Sequence, residues 1–541
     1  MKSFLNTCLK KNFQHLLVVS AILLFPANSA PPLAAPPAGQ IPAELWVVPF
    51  DSGRPAEMVL AQSLQGLTGT DSPRIWLDRN GGMSAVILQQ LQSEGTQFHR
   101  VNSVWDLPDE FWGDPKGAIL YNLGTHSLNT AVSLCGIWNA VAVDESILDQ
   151  AEAKGLQIIY DARGQSEDQI FDQYFDSFSP GIAVEQADTK PAYLRDFAIL
   201  RHAFTFYGFD STFRRRVASA LGPGATIFGW GPSEFTWISD FSRSAGQGVA
   251  SDWCVNLSAM SKLPVEIRVR TPASSDPAQE GQRIVAFVLS DGDNVQWLTG
   301  GMPLDSKYFG SPLRGDFKMN WEVSPLLTEL APRVLKYFFD AATDMDGFVA
   351  AGSPGYRYIY FEPDNPKGTT DAAQTAPYLN AGHLSIVSVI NDNHGTLDDV
   401  VPLLQLPEVD GVIYKPYSPY NGLGGAMSCS TDPVGRDKFA VSYKFLLWEG
   451  ASHPNDTPQA VADAVSAMPS SPQTDVGSYA LINVHAWSWS SIGGPIQAVK
   501  RTIDMLPPNT RVVTVNEFFA LLNANFSCSA APVVSVVSRV P

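Results

Sequence analysis

The chain reads as an α/β protein, with a C-terminal (β/α)8, TIM-like barrel preceded by small α/β domains. Two observations predict this. Beyond a polar, proline-bearing gap at 271–282 lie eight short apolar runs spread over roughly 250 residues, the strand number and span of such a barrel. The runs are continuous rather than alternating, as strands covered on both faces of a parallel sheet require. Spacing does not show closure, so an open doubly wound sheet also fits.

The order of elements supports the same reading. Lys2, Lys10 and Lys11, the apolar run Leu16 to Phe25 and the small residues after it have the layout of a secretory signal peptide over 1–29. A Pro/Ala-rich spacer follows at 30–43. Three small α/β domains are expected at 44–118, 119–190 and 191–275, marked by runs such as LWVVPF, IWLD, AILY, LQIIYD and ATIFGW between amphipathic segments. The barrel is expected at 283–526, on RIVAFVLS, KMNWEV, GFVAAG, LSIVSVI, GVIYKPY, YKFLLWE, YALINVHAW and RVVTV, with 527–541 as a tail. Thr457 before Pro458 is a helix start, Asn516 precedes the closing helix, and Pro332 must break or kink the crossover after Trp321.

Composition restricts the partners. With 36 basic and 54 acidic residues the net charge is -18, which repels polyanions and argues against nucleic acid. No run past the signal reaches the length of a membrane span, so a secreted or periplasmic protein without a span is expected. Once Cys8 leaves with the signal, Cys135, Cys254, Cys429 and Cys528 allow two disulfides in any of three pairings, or buried free thiols. Asn256, Asn455 and Asn525 lie in glycosylation sequons.

In a parallel barrel the chemistry lies where strands end. The first run ends in SDGDN, which places Asp291, Asp293 and Asn294 on one loop, with Gly292 there to let the backbone turn sharply. Close carboxylates repel, so one retains a proton; such a pair serves as acid and base, or holds a divalent cation. The same residues fit an Asp-rich turn that caps a helix. The second run supplies Glu322 beside Trp321, the sixth Glu449 beside Trp448, and the seventh His485 and Trp487; each also fits ordinary packing. Cleaving a glycosidic bond takes two carboxyl groups, and Asp291 or Asp293 with Glu322 are the leading candidates, Glu449 being held in reserve. Asn294, Gln296, Trp297, Trp321, Tyr356, Tyr358, Glu362, Trp448, His485 and Trp487 are the expected sugar-binding residues. No cofactor is expected apart from a cation at Asp291 and Asp293.

GYRY at Gly355 to Tyr358, together with SDGDNVQW, NWEVSPLLTELAP and VHAW, resembles the GxGYxYP family of exported glycoside hydrolases over most of the mature length. That resemblance implies small N-terminal domains, a barrel and carbohydrate processing. Ser353 and Ile359 stand where the family's first Gly and final Pro belong, so the loop is expected to differ in shape. The function expected is cleavage of a polysaccharide or oligosaccharide by carboxylates at the barrel mouth. The alternatives are a metal-dependent carbohydrate esterase or deacetylase using Asp291, Asp293 and His485, and a noncatalytic sugar-binding protein. No phosphate-binding glycine loop, HExxH or GxSxG is present.

Overall fold

The computed structural model describes residues 39–208, 210–270, 276–352, 354–361, 369–417, 420, 422–450 and 457–528. The signal, most of the spacer and tail, Glu362, Ser353 and the sequon at Asn455 lie outside the described residues.

Three small parallel sheets come first. β1 (Glu44–Pro49), β2 (Ile75–Asp78) and β3 (Gln97–Arg100) take the order β2-β1-β3. β4 (Ala118–Tyr121), β5 (Val141–Asp144) and β6 (Ile158–Asp161) take the order β5-β4-β6. The third sheet, β10-β9-β7-β8, is built from β7 (Ile182–Glu185), β8 (Phe204–Phe206), β9 (Thr226–Gly229) and β10 (Gln247–Ala250). Helices alternate with these strands, and the units press closely on one another. At Gly66, in the helix Pro55–Thr68, a Cβ would stand 2.6 Å from the carbonyl oxygen of Asp196, so only glycine lets that helix meet the helix Arg195–Leu200.

The C-terminal half is one ten-stranded sheet: β11 (Arg283–Leu289), β12 (Met319–Val323), β13 (Asp346–Ala351), β14 (Ile386–Asn391), β15 (Gly411–Pro416), β16 (Met427–Thr431), β17 (Asp437–Ser442), β18 (Phe445–Leu447), β19 (Tyr479–Val484) and β20 (Thr510–Val512). Its order is β16-β17-β15-β14-β13-β12-β11-β19-β18, with β20 beside β11. Both faces are buried: Val285, Phe287 and Leu289 join one apolar cluster, while Ile284, Ala286 and Val288 join another with Phe518 and Phe519 of the closing helix.

The expected eight-stranded barrel is corrected to a curled sheet. Among the described residues the RVVTV run forms β20, which pairs only with Arg283 to Val285, while β12 pairs with Val288 and Leu289 and β19 lies directly on the other side of β11. The eighth run therefore takes no place of its own around the sheet. YKFLLWE is the second half of a longer run whose first half, β17, pairs with β15 while β18 pairs with β19. The change of partner falls between adjacent residues: the Tyr443 N–H donates to the Tyr414 carbonyl at 3.3 Å and the Lys444 N–H to that of Leu481 at 2.9 Å. The sheet thus curls until its two flanks share one run of chain. The antiparallel β16–β17 hairpin was not foreseen. Of the cysteines, Cys429 in that hairpin bonds to Cys528, and Cys135 and Cys254 are buried thiols.

Local signals fared better. The crossover breaks at Ala331, ahead of the helix Pro332–Ala341, and the Thr457 hydroxyl caps the helix Pro458–Ser466. The closing helix is capped by Thr514 and Glu517 rather than Asn516, because those two form a reciprocal capping box. Two sequons hold buried or bonded amides. Asn256 is buried, its side chain bonded to Gln65 and to the backbone of Leu77. The Asn525 side chain donates to Tyr479 and to the Leu521 carbonyl.

The segment Gly355–Tyr358 joins the two halves. Tyr356 exchanges both backbone hydrogen bonds with Gly248 of β10, each 2.9 Å, forming an antiparallel bridge on that edge strand. The Gly355 N–H donates to Gln247 Oε1 at 2.8 Å and the Tyr358 N–H to the Ser242 hydroxyl at 2.9 Å. Arg357 donates to the Ala245 carbonyl and, at 2.6 Å, to Asp371, both side chains of that pair being buried. Ile359 follows in a 3-10 turn, Ile359–Phe361. Arg357→Ala removes the guanidinium and leaves Asp371 buried, so a loss of roughly 3–5 kcal/mol is expected in denaturant unfolding.

Candidate active site

A cleft of about 500 Å3 opens between the C-terminal edge of the curled sheet and the third small sheet. One wall carries Asp291, Asp293, Asn294 and Gln296 after β11, Lys415 of β15, Trp448 after β18, and His485 and Trp487 after β19. The opposite wall carries Trp230 and Glu234 after β9 and Asp252 and Trp253 after β10, with Tyr356 in the seam. Both walls obey one rule: in open parallel sheets the functional side chains follow the strand ends.

The SDGDN turn is shaped differently from the expectation. Asp291, not Gly292, takes the left-handed backbone, with φ of 69°. Gly292 is required for close approach, because a Cβ there would stand 2.1 Å from the carbonyl carbon of Glu322. The loop therefore lies directly on the end of β12. It presents two carboxylates in different settings. Asp291 accepts from the Trp487 indole N–H at 2.9 Å through one oxygen and from the Ser290 hydroxyl through the other. Asp293 has no hydrogen bond from a described residue. Burial, with the charges of Asp291 and Glu322 beside it, pushes Asp293 up to about 7.

Around this carboxyl the site is ordered in pairs. Glu322 is buried 3.3 Å from Lys415 Nζ, so it acts on the cleft through that lysine rather than by lining its main wall. Tyr356 and Tyr420 hydroxyls donate to Glu234 at 3.0 and 3.4 Å, and burial raises Glu234 above the ordinary carboxylate range. Trp448 stacks on His485 at 3.7 Å, and burial lowers the imidazole's proton affinity. His485 Nδ1 lies 2.7 Å from the Ser488 hydroxyl. Lys190 pairs with Asp252 and lies 4.6 Å over the Trp253 ring. Trp253 and Trp487 are 47% and 48% exposed, leaving two indole faces open to a ligand.

Other expected residues lie elsewhere. Trp321 is buried, its indole donating to Asp346 at 2.7 Å, because alternation along β12 turns it away from Glu322. Trp297 supports Trp487 from behind at 4.7 Å. Tyr358 sits behind Tyr356, their hydroxyls 3.2 Å apart. Glu449 accepts from the Trp489 N–H and the Ser491 hydroxyl, bracing that loop outside the cleft lining. No three His, Cys, Asp or Glu side chains group to hold a metal ion among the described residues, and both oxygens of Asp291 already accept hydrogen bonds.

Residues 282–523 match the family domain described as "GxGYxYP putative glycoside hydrolase C-terminal domain", and residues 115–178 and 180–262 match that family's second and third domains. The chain belongs to the GxGYxYP family. Its fold is shared by a crystal structure of a "putative hydrolase" from Bacteroides thetaiotaomicron VPI-5482, at a TM-score of 0.81 and 24% identity over 90% of this chain and 96% of that one. No curated protein matches the chain.

Within this GxGYxYP protein the motif's tyrosines do not stand alone. Tyr356 bridges the backbone of β10 and bonds Glu234, a residue that reading only the C-terminal runs missed. The same strand-end rule applied to ATIFGW would have pointed to Glu234, and the charge inside GVIYKP to Lys415. Gly292→Ala should cost roughly 1–3 kcal/mol through overpacking, read as a lowered unfolding midpoint. For Asp293, the folded value near 7 exceeds the ordinary value of about 3.9 in an unfolded chain. Its stabilising contribution is thus full below about pH 4 and lost as pH rises through 7. Asp293→Asn, which cannot ionise, should therefore gain stability relative to the parent as pH rises across that window, as measured by urea unfolding at a series of pH values.

Proposed function

We propose that the protein is an exported glycoside hydrolase in which Asp293 protonates the leaving glycosidic oxygen. The observation that carries this reading is the contrast between two neighbouring carboxyls. Asp293 accepts no hydrogen bond from a described residue and its proton affinity is raised to about 7, whereas Asp291 is oriented by two donors. Environments that separate two acids in this way suit them to opposite roles. Asp291 serves as the nucleophile or activates water, and Asp293 returns as base in the second half of a retaining reaction or stays an acid in an inverting one.

Lys415, held by Glu322, and Glu234, held by two tyrosines, bind sugar hydroxyls from opposite walls, and Trp253 and Trp487 stack on ring faces. Export is supported by the layout of residues 1–29 and by the Cys429–Cys528 disulfide, a bond favoured in oxidising compartments. No helix among the described residues is long and apolar enough to cross a membrane.

Screening the mature chain against a panel of glycans should reveal turnover that persists in chelator. Asp293→Asn should lose about 100- to 10,000-fold in kcat, the usual share of a proton-transfer group. With the parent, kcat should fall as pH rises above about 7, where Asp293 loses its proton. Turnover abolished by chelator would instead indicate metal-assisted ester or amide cleavage, and binding without turnover a sugar-binding protein.

A further inference from the structure

The cleft does not end at Trp253. A second hollow of about 310 Å3 adjoins it, and Trp253 and Gln296 line both. The Trp253 N–H donates to Gln296 Oε1 at 2.6 Å, so the two residues form a single sill, with the half-exposed indole on top. A ligand longer than the cleft has a path over that sill.

The lining changes sign on the far side. The cleft holds Glu234, Asp252, Asp291 and Asp293, while no aspartate or glutamate among the described residues lines the second hollow. The charged residue there is Arg79, which is exposed and forms no ion pair among the described residues. Its guanidinium rests 5.7 Å from the Phe50 ring centroid. The lysines of the cleft are each matched to a carboxylate: Lys190 to Asp252 and Lys415 to Glu322. In a chain of net charge -18, an unmatched guanidinium in a hollow without carboxylates favours an anion. The carboxylates of the cleft disfavour one at the cleavage point itself.

We infer that the ligand is an acidic glycan, bearing carboxylate or sulfate groups, which crosses Trp253 so that an anionic unit meets Arg79 while an uncharged unit lies beside Asp293. The position of the cleaved bond rests on the hydrolase reading; the anionic subsite stands on the second hollow alone. Planar guanidinium suits either oxyanion group, through paired N–H donors. Gly301 lines the hollow, and a Cβ built there meets nothing within 4 Å, so a side chain can be introduced at its rim without a clash at that atom.

The test uses the full mature chain carrying Asp293→Asn, so that binding is read without turnover. It is applied to an array of uronic-acid, sulfated and neutral oligosaccharides of graded length, and the binders are measured by calorimetry. Longer acidic glycans should bind about tenfold more tightly than neutral ones of equal length, with an advantage that shrinks as salt rises. Adding Arg79→Gln or Gly301→Trp should remove that advantage, while short neutral glycans bind as before. The carboxylate and sulfate arms of the array identify which anion is preferred. Preference for neutral glycans, an acidic preference indifferent to both added changes, or no binding to any member overturns the inference. Acid-selective binding that responds to both changes, with no turnover by the parent, sustains the subsite and removes the hydrolase reading instead.

Discussion

The bridge between Tyr356 and Gly248 is the contact on which the site depends. A loop that leaves β13 of the curled sheet lends one residue to the open edge of β10, and two backbone hydrogen bonds set the register between halves of the molecule. Neighbouring bonds to Gln247, Ser242 and Ala245 repeat the attachment along the same side of the third sheet. An exposed edge strand is thereby covered, and the helix that begins at Glu234 is brought over the curled sheet. Each half contributes its own strand-end residues, and neither encloses the cleft by itself.

This assembly creates the electrostatic setting of Asp293. Several carboxylates are drawn together where the halves meet, and two lysines do not balance all of them. Partial burial of Asp293 in the cleft wall, with the charges of Asp291 and Glu322 beside it, favours its protonated form. The neighbouring buried charges are paired, Glu322 with Lys415 and Arg357 with Asp371, so that removing one partner of either pair leaves an uncompensated buried charge.

Much of this was legible in the residues because local chemistry is short-ranged. Continuous apolar runs marked strands covered on both faces, and SDGDN, VHAW and the tryptophan after FLL marked their ends. What escaped was long-range. Nothing in RVVTV distinguishes a strand that takes a full place in a ring from one that pairs with half of β11. The partner of GYRY lies 108 residues away at Gly248, counted from Tyr356, and only the folded chain shows it. Side-chain direction was the other blind spot: adjacent Trp321 and Glu322 face opposite ways, so proximity in the chain did not mean a shared function. Glu234 follows a strand of the facing domain, outside the C-terminal runs, and Lys415 stands inside an apolar run rather than at its end.

The buried amide of Asn256 bears on how the protein can be made. That side chain ties the helix Pro55–Thr68 to β2 from nearly two hundred residues away, yet it sits in a tripeptide that eukaryotic secretory machinery modifies on chains not yet folded. An oligosaccharide added at that moment could not be accommodated between Gln65 and Leu77, so yeast or insect-cell export would divert the polypeptide from its native route, whereas a bacterial periplasm would leave the residue unadorned.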